Sequence, residues 1–353
     1  MTCMRFSLIL LFVLSGASFG SCDDDVRDRD LESDADADSD SDGDSDSDTD
    51  TGPSGPIEQD CSDCPAVGIT MDNMLCAIDI CSTDLVVSNT YASPTTSPVD
   101  GTYEAVAHFG DGSNDLAPKL NGSYALMATG PATGTEHNED VGGNSGTDPY
   151  ANDEYADTLT YNEMEWTLDL IAPEQAHGFS FKYVFFSEEY DDFISTQFND
   201  KFYVFIEAAS TNGGEKSILN FTDCREPDVY HDFVCAAGQT GCNEGEKYCY
   251  IAINSALSDC CWFNDCPDGY SYDVGTDITG TGYECAMDQL SDGAATGSST
   301  GWLMTSWPIN PGETLTLTFH IHDTGDGVLD SEVILDSFQF LYDFTVPETS
   351  PIE

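Results

Sequence analysis

Four stretches of the chain carry the hydrophobic pattern of strands. Thr314–Ile321 alternates strictly, placing Leu315, Leu317, Phe319 and Ile321 on one face and Thr and His side chains on the other. Phe179–Phe186 and Lys201–Glu207 are aromatic and β-branched almost throughout, the composition of strands covered on both sides. Glu332–Phe340 is a fourth strand by the same criteria. Clusters of Gly, Asn, Asp, Ser and Thr separate them, and no long segment shows the 3.6-residue period of an amphipathic helix. The pattern predicts an all-β domain over residues 58–345, a β-sandwich or jelly-roll-like fold, followed by a tail at 346–353. Residues 222–286 break the pattern with eight cysteines and short polar stretches, and read as a disulfide-rich insertion at a sandwich edge.

The N-terminal segment has a different character. Arg5 precedes a nine-residue, largely apolar run, Phe6–Leu14, and small residues lead to Gly20-Ser21-Cys22. The run is too short to span a bilayer, so residues 1–21 read as an export signal. The segment resembles a bacterial lipobox, which implies cleavage before Cys22 and a lipid on that residue. Residues 22–57 then form a tether. Between 23 and 50 they hold 15 acids and 2 arginines with no apolar face, so the segment is expected to stay solvated and self-repelling.

Cysteine parity fits export. Of the 14 cysteines, Cys3 leaves with the signal and Cys22 takes lipid. The remainder form two even groups: Cys61, Cys64, Cys76, Cys81; and Cys224, Cys235, Cys242, Cys249, Cys260, Cys261, Cys266, Cys285. Disulfides closed within each group are expected in an oxidising compartment, in preference to a zinc knuckle built on Cys61-x-x-Cys64. Pairing inside each group stays open.

The formal charge is −57, with 9 basic residues against 66 acids. That excludes nucleic acid as a partner, because phosphate binding needs a basic footprint. The tether does not account for the imbalance, since residues 51–353 still hold 51 acids and 6 bases. A folded domain so charged repels itself unless cations relieve it. Two acidic segments concentrate the problem. Ser187-Glu188-Glu189-Tyr190-Asp191-Asp192, leading to Asn199-Asp200, joins the two aromatic strands, and Asp323–Ser331 joins the last two. Oxygen donors crowded into loops at strand ends suit Ca²⁺. The expected ligands are Glu189, Asp200, Asp323 and Asp330, with Glu188, Asn199 and Asp326 as second choices. His320 and His322 share a strand face and, with Asp323, make a weaker zinc candidate; surface histidines are the plainer expectation. Trp302 and Trp307 are expected to pack in the core rather than to stack on sugars.

The same acidic segments carry a family resemblance. Phe185-Phe186-Ser187-Glu188-Glu189-Tyr190, then Phe198-Asn199-Asp200 before a strand, resembles the signature of the choice-of-anchor L domain. Asp323-x-x-Asp326-x-x-x-Asp330-Ser331-x-Val333-x-Leu335-Asp336 is similar to that family's closing motif. Leu116-Ala117-Pro118, Ala128-Thr129-Gly130 and the segment Tyr161–Pro173 resemble its earlier blocks. The resemblance implies an exported bacterial surface domain and no known activity. Together these observations predict a lipid-anchored, calcium-stabilised, non-catalytic interaction or adhesion module of the cell envelope. Its expected partners are the membrane, through the lipid, and an extracellular protein or glycan. A carbohydrate-active enzyme or sugar-binding accessory would instead need opposed carboxylates in a cleft. A structural envelope protein would need neither cleft nor ligand patch.

Overall fold

A computed structural model describes residues 53–352, except 65–66, 95–100, 136, 138–143, 149, 151–157, 191–192, 194–195, 225–230, 256, 259–277 and 285–295. The export signal, Cys22, the tether up to residue 52, and Cys260, Cys261, Cys266 and Cys285 lie outside the described residues.

Two antiparallel sheets face each other. One contains β1 (Val86–Ala92), β4 (Asn144–Thr147), β5 (Leu159–Ile171), β7 (Lys201–Ala208), β8 (Ser217–Ile218), β9 (Phe221–Thr222), β10 (Phe233–Val234), β11 (Lys247–Ala252) and β14 (Thr314–Thr324). The other contains β2 (Tyr103–Val106), β3 (Tyr124–Ala128), β6 (Gly178–Tyr190), β12 (Thr296–Ser299), β13 (Leu303–Pro308), β15 (Ser331–Leu341) and β16 (Glu348–Pro351). The main path of the first runs β1-β5-β14-β7-β11-β10, and that of the second β16-β13-β6-β15-β3-β2. This is the expected all-β sandwich. A short helix, α1 (Met71–Ala77), is opened by Thr70, whose hydroxyl accepts from the Asn73 backbone N–H in a capping box.

The core follows from alternation. In β5, Met164, Trp166, Leu168 and Leu170 are buried while Glu163, Glu165, Thr167 and Asp169 are half-buried on the other face. Leu317, Phe319 and Ile321 of β14 join them and meet Phe181, Tyr183, Phe185, Val333 and Leu335 of the opposite sheet. Phe181 and Phe319 pack edge to face across the interface with centroids 5.6 Å apart. β6 and β15 are apolar on both faces because a second cluster covers their backs. There Val184, Phe186 and Ile334 lie under Phe109, Leu116, Tyr283 and Trp302. Each large side chain removed from water contributes about 1.5–3 kcal/mol, so the two-sided strands carry much of the fold. Trp302 and Trp307 are both buried, as expected; the Trp307 indole N–H donates to Thr211 Oγ1 at 2.9 Å.

Cys61 pairs with Cys81, Cys64 with Cys76, Cys224 with Cys249 and Cys235 with Cys242, all within the two expected groups. Two boundaries differ from expectation. Residues 346–353 are not merely a tail, because β16 pairs with β13 along Glu348–Ser306 to Pro351–Leu303. An edge strand held by backbone bonds needs little apolar content, so its sequence carries no strand signal. The tether ends earlier than 57, since Ile57 N–H donates to Phe340 and Tyr342 N–H donates to Gly55. The described part of the cysteine-rich region lies at a sheet edge and adds strands to it. Its β11 continues the sheet beside β7, with Ile251 opposite Phe202.

Candidate functional site

The two acidic segments are the crossovers between sheets at one end of the sandwich. Residues 190–201 leave β6 in one sheet and enter β7 in the other, and 324–331 return from β14 to β15. Register fixes both ends: Ser331 lies opposite Ser187, and His322 opposite Lys201. The acids are thus less in loops than expected. Glu188 and Glu189 close β6, Asp323 lies near the end of β14, and Asp200 immediately precedes β7.

All four first-choice ligands are buried, with Glu189 3% exposed, Asp323 1%, and Asp200 and Asp330 0%. Asp200 anchors the group. Its Oδ1 accepts from Thr324 N–H at 2.9 Å, its Oδ2 from the Ser331 hydroxyl at 2.7 Å, and its own N–H donates to Glu189 Oε2 at 3.0 Å. Asn162, a left-handed residue on β5 with φ 48°, donates Nδ2–H to Asp323 Oδ2 at 2.8 Å. Asp323 Oδ1 and Asn162 Oδ1 are buried without a hydrogen-bond partner among the described residues. The second-choice residues divide. Asn199 is buried beside Asp200, Glu188 is half-buried, and Asp326 is half-buried with its Oδ1 accepting from Val328 N–H.

Burial raises these carboxyls first, and their mutual repulsion adds to it. Glu189 and Asp323 are pushed well above the carboxylate range by burial and then by Asp200. Asp200 rises to about 7 through burial, despite the hydrogen bonds from Ser331 and Thr324. Glu188 rises to about 8, through burial and then Asp330. Among the described residues no lysine or arginine forms an ion pair with Glu189, Asp200 or Asp323; Lys201 instead bridges Asp148 and Asp232.

Sequence reasoning missed part of this region. Glu332 is 0% exposed on β15, and the nearby ring nitrogen His137 Nδ1 is 3.8 Å away. Burial and then Asp330 raise its pKa well above the usual range. The available signal is a charged residue directly before the apolar run Val333–Leu335 of a strand. Gly130 carries no sequence signal beyond its place in the Ala128-Thr129-Gly130 motif. A Cβ on it would lie within 2.7 Å of the Asp330 carboxyl carbon and both its oxygens, so Asp330 occupies the space a side chain would take.

The histidines also differ from expectation. His320 and His322 are buried, 5% and 1% exposed, because Tyr203 of β7 stacks beside His320 and Asp148, which accepts from the Tyr203 hydroxyl, faces His322. Asp323 does not join them, since alternation turns it toward the space between the sheets. Glu163 and Glu165 on β5 stand beside them instead. Ligand atoms of Glu163, Glu165 and His320 all lie within 4.8 Å of one another, the one such grouping of three among the described residues. The crossover acids therefore form a more extended chain of carboxyls. They also lie away from the surface depression of about 450 Å³ at the sheet edge, which is lined by Tyr150, Lys216, Phe233 and Tyr250.

The family model of the choice-of-anchor L domain matches residues 71–340, most of the chain, and the chain belongs to that family. Neither the curated proteins nor the solved structures give a significant match. The family is not a known enzyme family, and among the described residues no helix is long and apolar enough to cross a membrane.

Proposed function

We propose that this domain is a non-catalytic interaction module of the cell envelope, locked at its crossover end by Ca²⁺ and carried on a lipidated Cys22 through the acidic tether. One observation carries the calcium reading. Buried carboxyls from β6, β14 and the segments entering β7 and β15 line one end of the sandwich as an extended chain, among the described residues without a basic partner on Glu189, Asp200 or Asp323, and with Asp323 Oδ1 left unpartnered. Every donor there is a hard oxygen, the set Ca²⁺ takes at about 2.3–2.6 Å. Glu189, Asp200, Asp323 and Asp330 are the proposed ligands. A bound ion would pin both crossovers and so fix the surface loops next to them, which is where a β-sandwich presents a binding face. The glycosidase alternative is less favoured, because carboxyls 0–3% exposed do not flank an open cleft.

The test is thermal melting of metal-stripped protein with Ca²⁺, with chelator, and with NaCl of equal ionic strength. At 100 times Kd, binding adds about 2.7 kcal/mol. For a domain of about 300 residues that is about 4 °C in Tm. Asp200→Ala and Asp323→Ala are expected to remove the calcium-specific increment. Identical curves with Ca²⁺ and with matched NaCl would end the calcium reading. Mass spectrometry of the membrane fraction tests the anchor, which an unmodified Cys22 in soluble material would exclude.

A further inference from the structure

On the outer face of the β5–β14 pair, two carboxylates and two imidazoles form a cross-strand quartet. Glu163 and Glu165 are two apart on β5, and His320 and His322 are two apart on β14, with His320 directly opposite Glu165. His320 Nδ1 lies 3.1 Å from Glu165 Oε1, so this nitrogen carries the proton and donates to the carboxylate. The other nitrogen, Nε2, is then left to present a lone pair. It lies 2.9 Å from His322 Nδ1 and 3.6 Å from Glu163 Oε1. Two ring nitrogens at that separation need something positive between them.

The far side of His322 decides what that is. His322 Nε2 is buried, has no hydrogen-bond partner among the described residues, and faces Asp148 Oδ2 at 3.8 Å. If His322 Nδ1 held the bridging proton and the ring stayed neutral, Nε2 would turn a lone pair toward a buried carboxylate that also accepts from the Tyr203 hydroxyl. If Nδ1 is instead a ligand, Nε2 carries the proton and points it at Asp148. Both imidazoles then have the same arrangement, one nitrogen free to bind a cation and the other turned to a carboxylate, the usual way a protein fixes a metal-binding histidine.

We propose that Glu163, His320 and His322, with Glu165 and Asp148 orienting the two rings, form a site for a late first-row divalent cation of the Zn²⁺ class. Metal–ligand bonds of about 2.0–2.2 Å in a tetrahedron put neighbouring ligand atoms about 3.3 Å apart. The two separations from His320 Nε2, 2.9 and 3.6 Å, bracket that value; the three ligand atoms do not all lie within 4.8 Å of one another, so the partly exposed Glu163 side chain would have to swing toward His322 to complete the site. Imidazole with carboxylate selects this class of ion over Ca²⁺, which prefers oxygen alone. The Glu163 and Glu165 side chains are 16% and 28% exposed, so solvent reaches the site and leaves it a fourth, exchangeable position. The site is separate from the crossover acids and does not depend on their binding calcium.

The experiment titrates Zn²⁺ into metal-stripped full-length protein by calorimetry, in saturating Ca²⁺ so that the tether and crossover acids are occupied. One Zn²⁺ per chain is expected, bound at least tenfold more tightly than by Glu163→Gln, with Glu165→Gln weakened about tenfold as an orienting residue. Both glutamates are partly exposed, and near-UV circular dichroism identifies any variant that fails to fold. Asp323→Asn is expected to bind Zn²⁺ as the wild type does, which separates this site from the calcium reading. Co²⁺ in place of Zn²⁺ should give ligand-field bands without thiolate charge transfer. Equal Zn²⁺ binding by wild type and both glutamine variants, or a thiolate band pointing to cysteine ligands, would overturn the site and leave the imidazoles bridged by a proton.

Discussion

Gly130 offers a sharp test of how the crossover acids are seated. Its φ is not in the left-handed region, so alanine fits the backbone, and the only obstacle is space. The three nearest atoms to an added Cβ all belong to the Asp330 carboxyl, within 2.7 Å. Asp330 is 0% exposed and cannot swing into solvent. Overpacking of this kind costs about 1–3 kcal/mol, while replacing glycine returns about 0.4–1 kcal/mol by restricting the unfolded chain. The net expectation for Gly130→Ala is about 2 kcal/mol of destabilisation, or about 3 °C in Tm for a domain of this size. In an Asp330→Ala background the obstructing atoms are gone, and only the unfolded-chain gain remains. The same substitution should then be neutral or stabilising by up to about 0.5 kcal/mol. The assay is a double-mutant cycle by denaturant unfolding, with an expected coupling of about 2.5 kcal/mol. An equal cost for Gly130→Ala in both backgrounds would refute the packing argument.

Two further outcomes follow from buried charge. Lys201 is 2% exposed and lies 3.2 Å from Asp148 and 3.0 Å from Asp232, so Lys201→Met should cost about 3–5 kcal/mol by leaving two buried carboxylates without their cation; a loss below about 1 kcal/mol in urea unfolding would show the pairs to be solvated. Asp79 is raised to about 6 and Asp336 to about 7, each by burial first, so the folded state holds protons that the unfolded chain releases near pH 4. Their stabilising contribution is complete below about pH 4 and is lost as pH rises through 6 to 7. Asp79→Asn should therefore flatten the fall in stability between about pH 4 and 7, measured in saturating Ca²⁺, and an unchanged slope would count against the pair.

How far the sequence reaches depends on what kind of fact is sought. Alternation in Thr314–Ile321 and the aromatic runs at 179–186 and 201–207 correspond to real strands, because burial of one or both faces is a local property of the pattern. Strand ends are harder to place where acids sit on them. Glu188 and Glu189 look like loop residues, since a charge in a buried strand costs free energy unless something compensates, and the compensation comes from residues far along the chain. The resemblance locates the right acids without their geometry. The rest depends on register. Glu165 meets His320 across 155 residues of chain, Asn162 meets Asp323 across 161, and Gly130 makes room for Asp330. Period two assigns a residue to a face and is silent about its neighbour across the sheet. It is also silent about what lies over that face. Placing His320 and His322 opposite Leu317 and Phe319 is correct, and inferring exposure from it is not, because Tyr203 stacks beside His320 and Asp148 closes on His322 at the outer surface. A polar face covered by a further layer is where paired imidazoles and carboxylates gain most from a shared cation. The point at which the sequence reading fails is therefore also the point at which the structure suggests new chemistry.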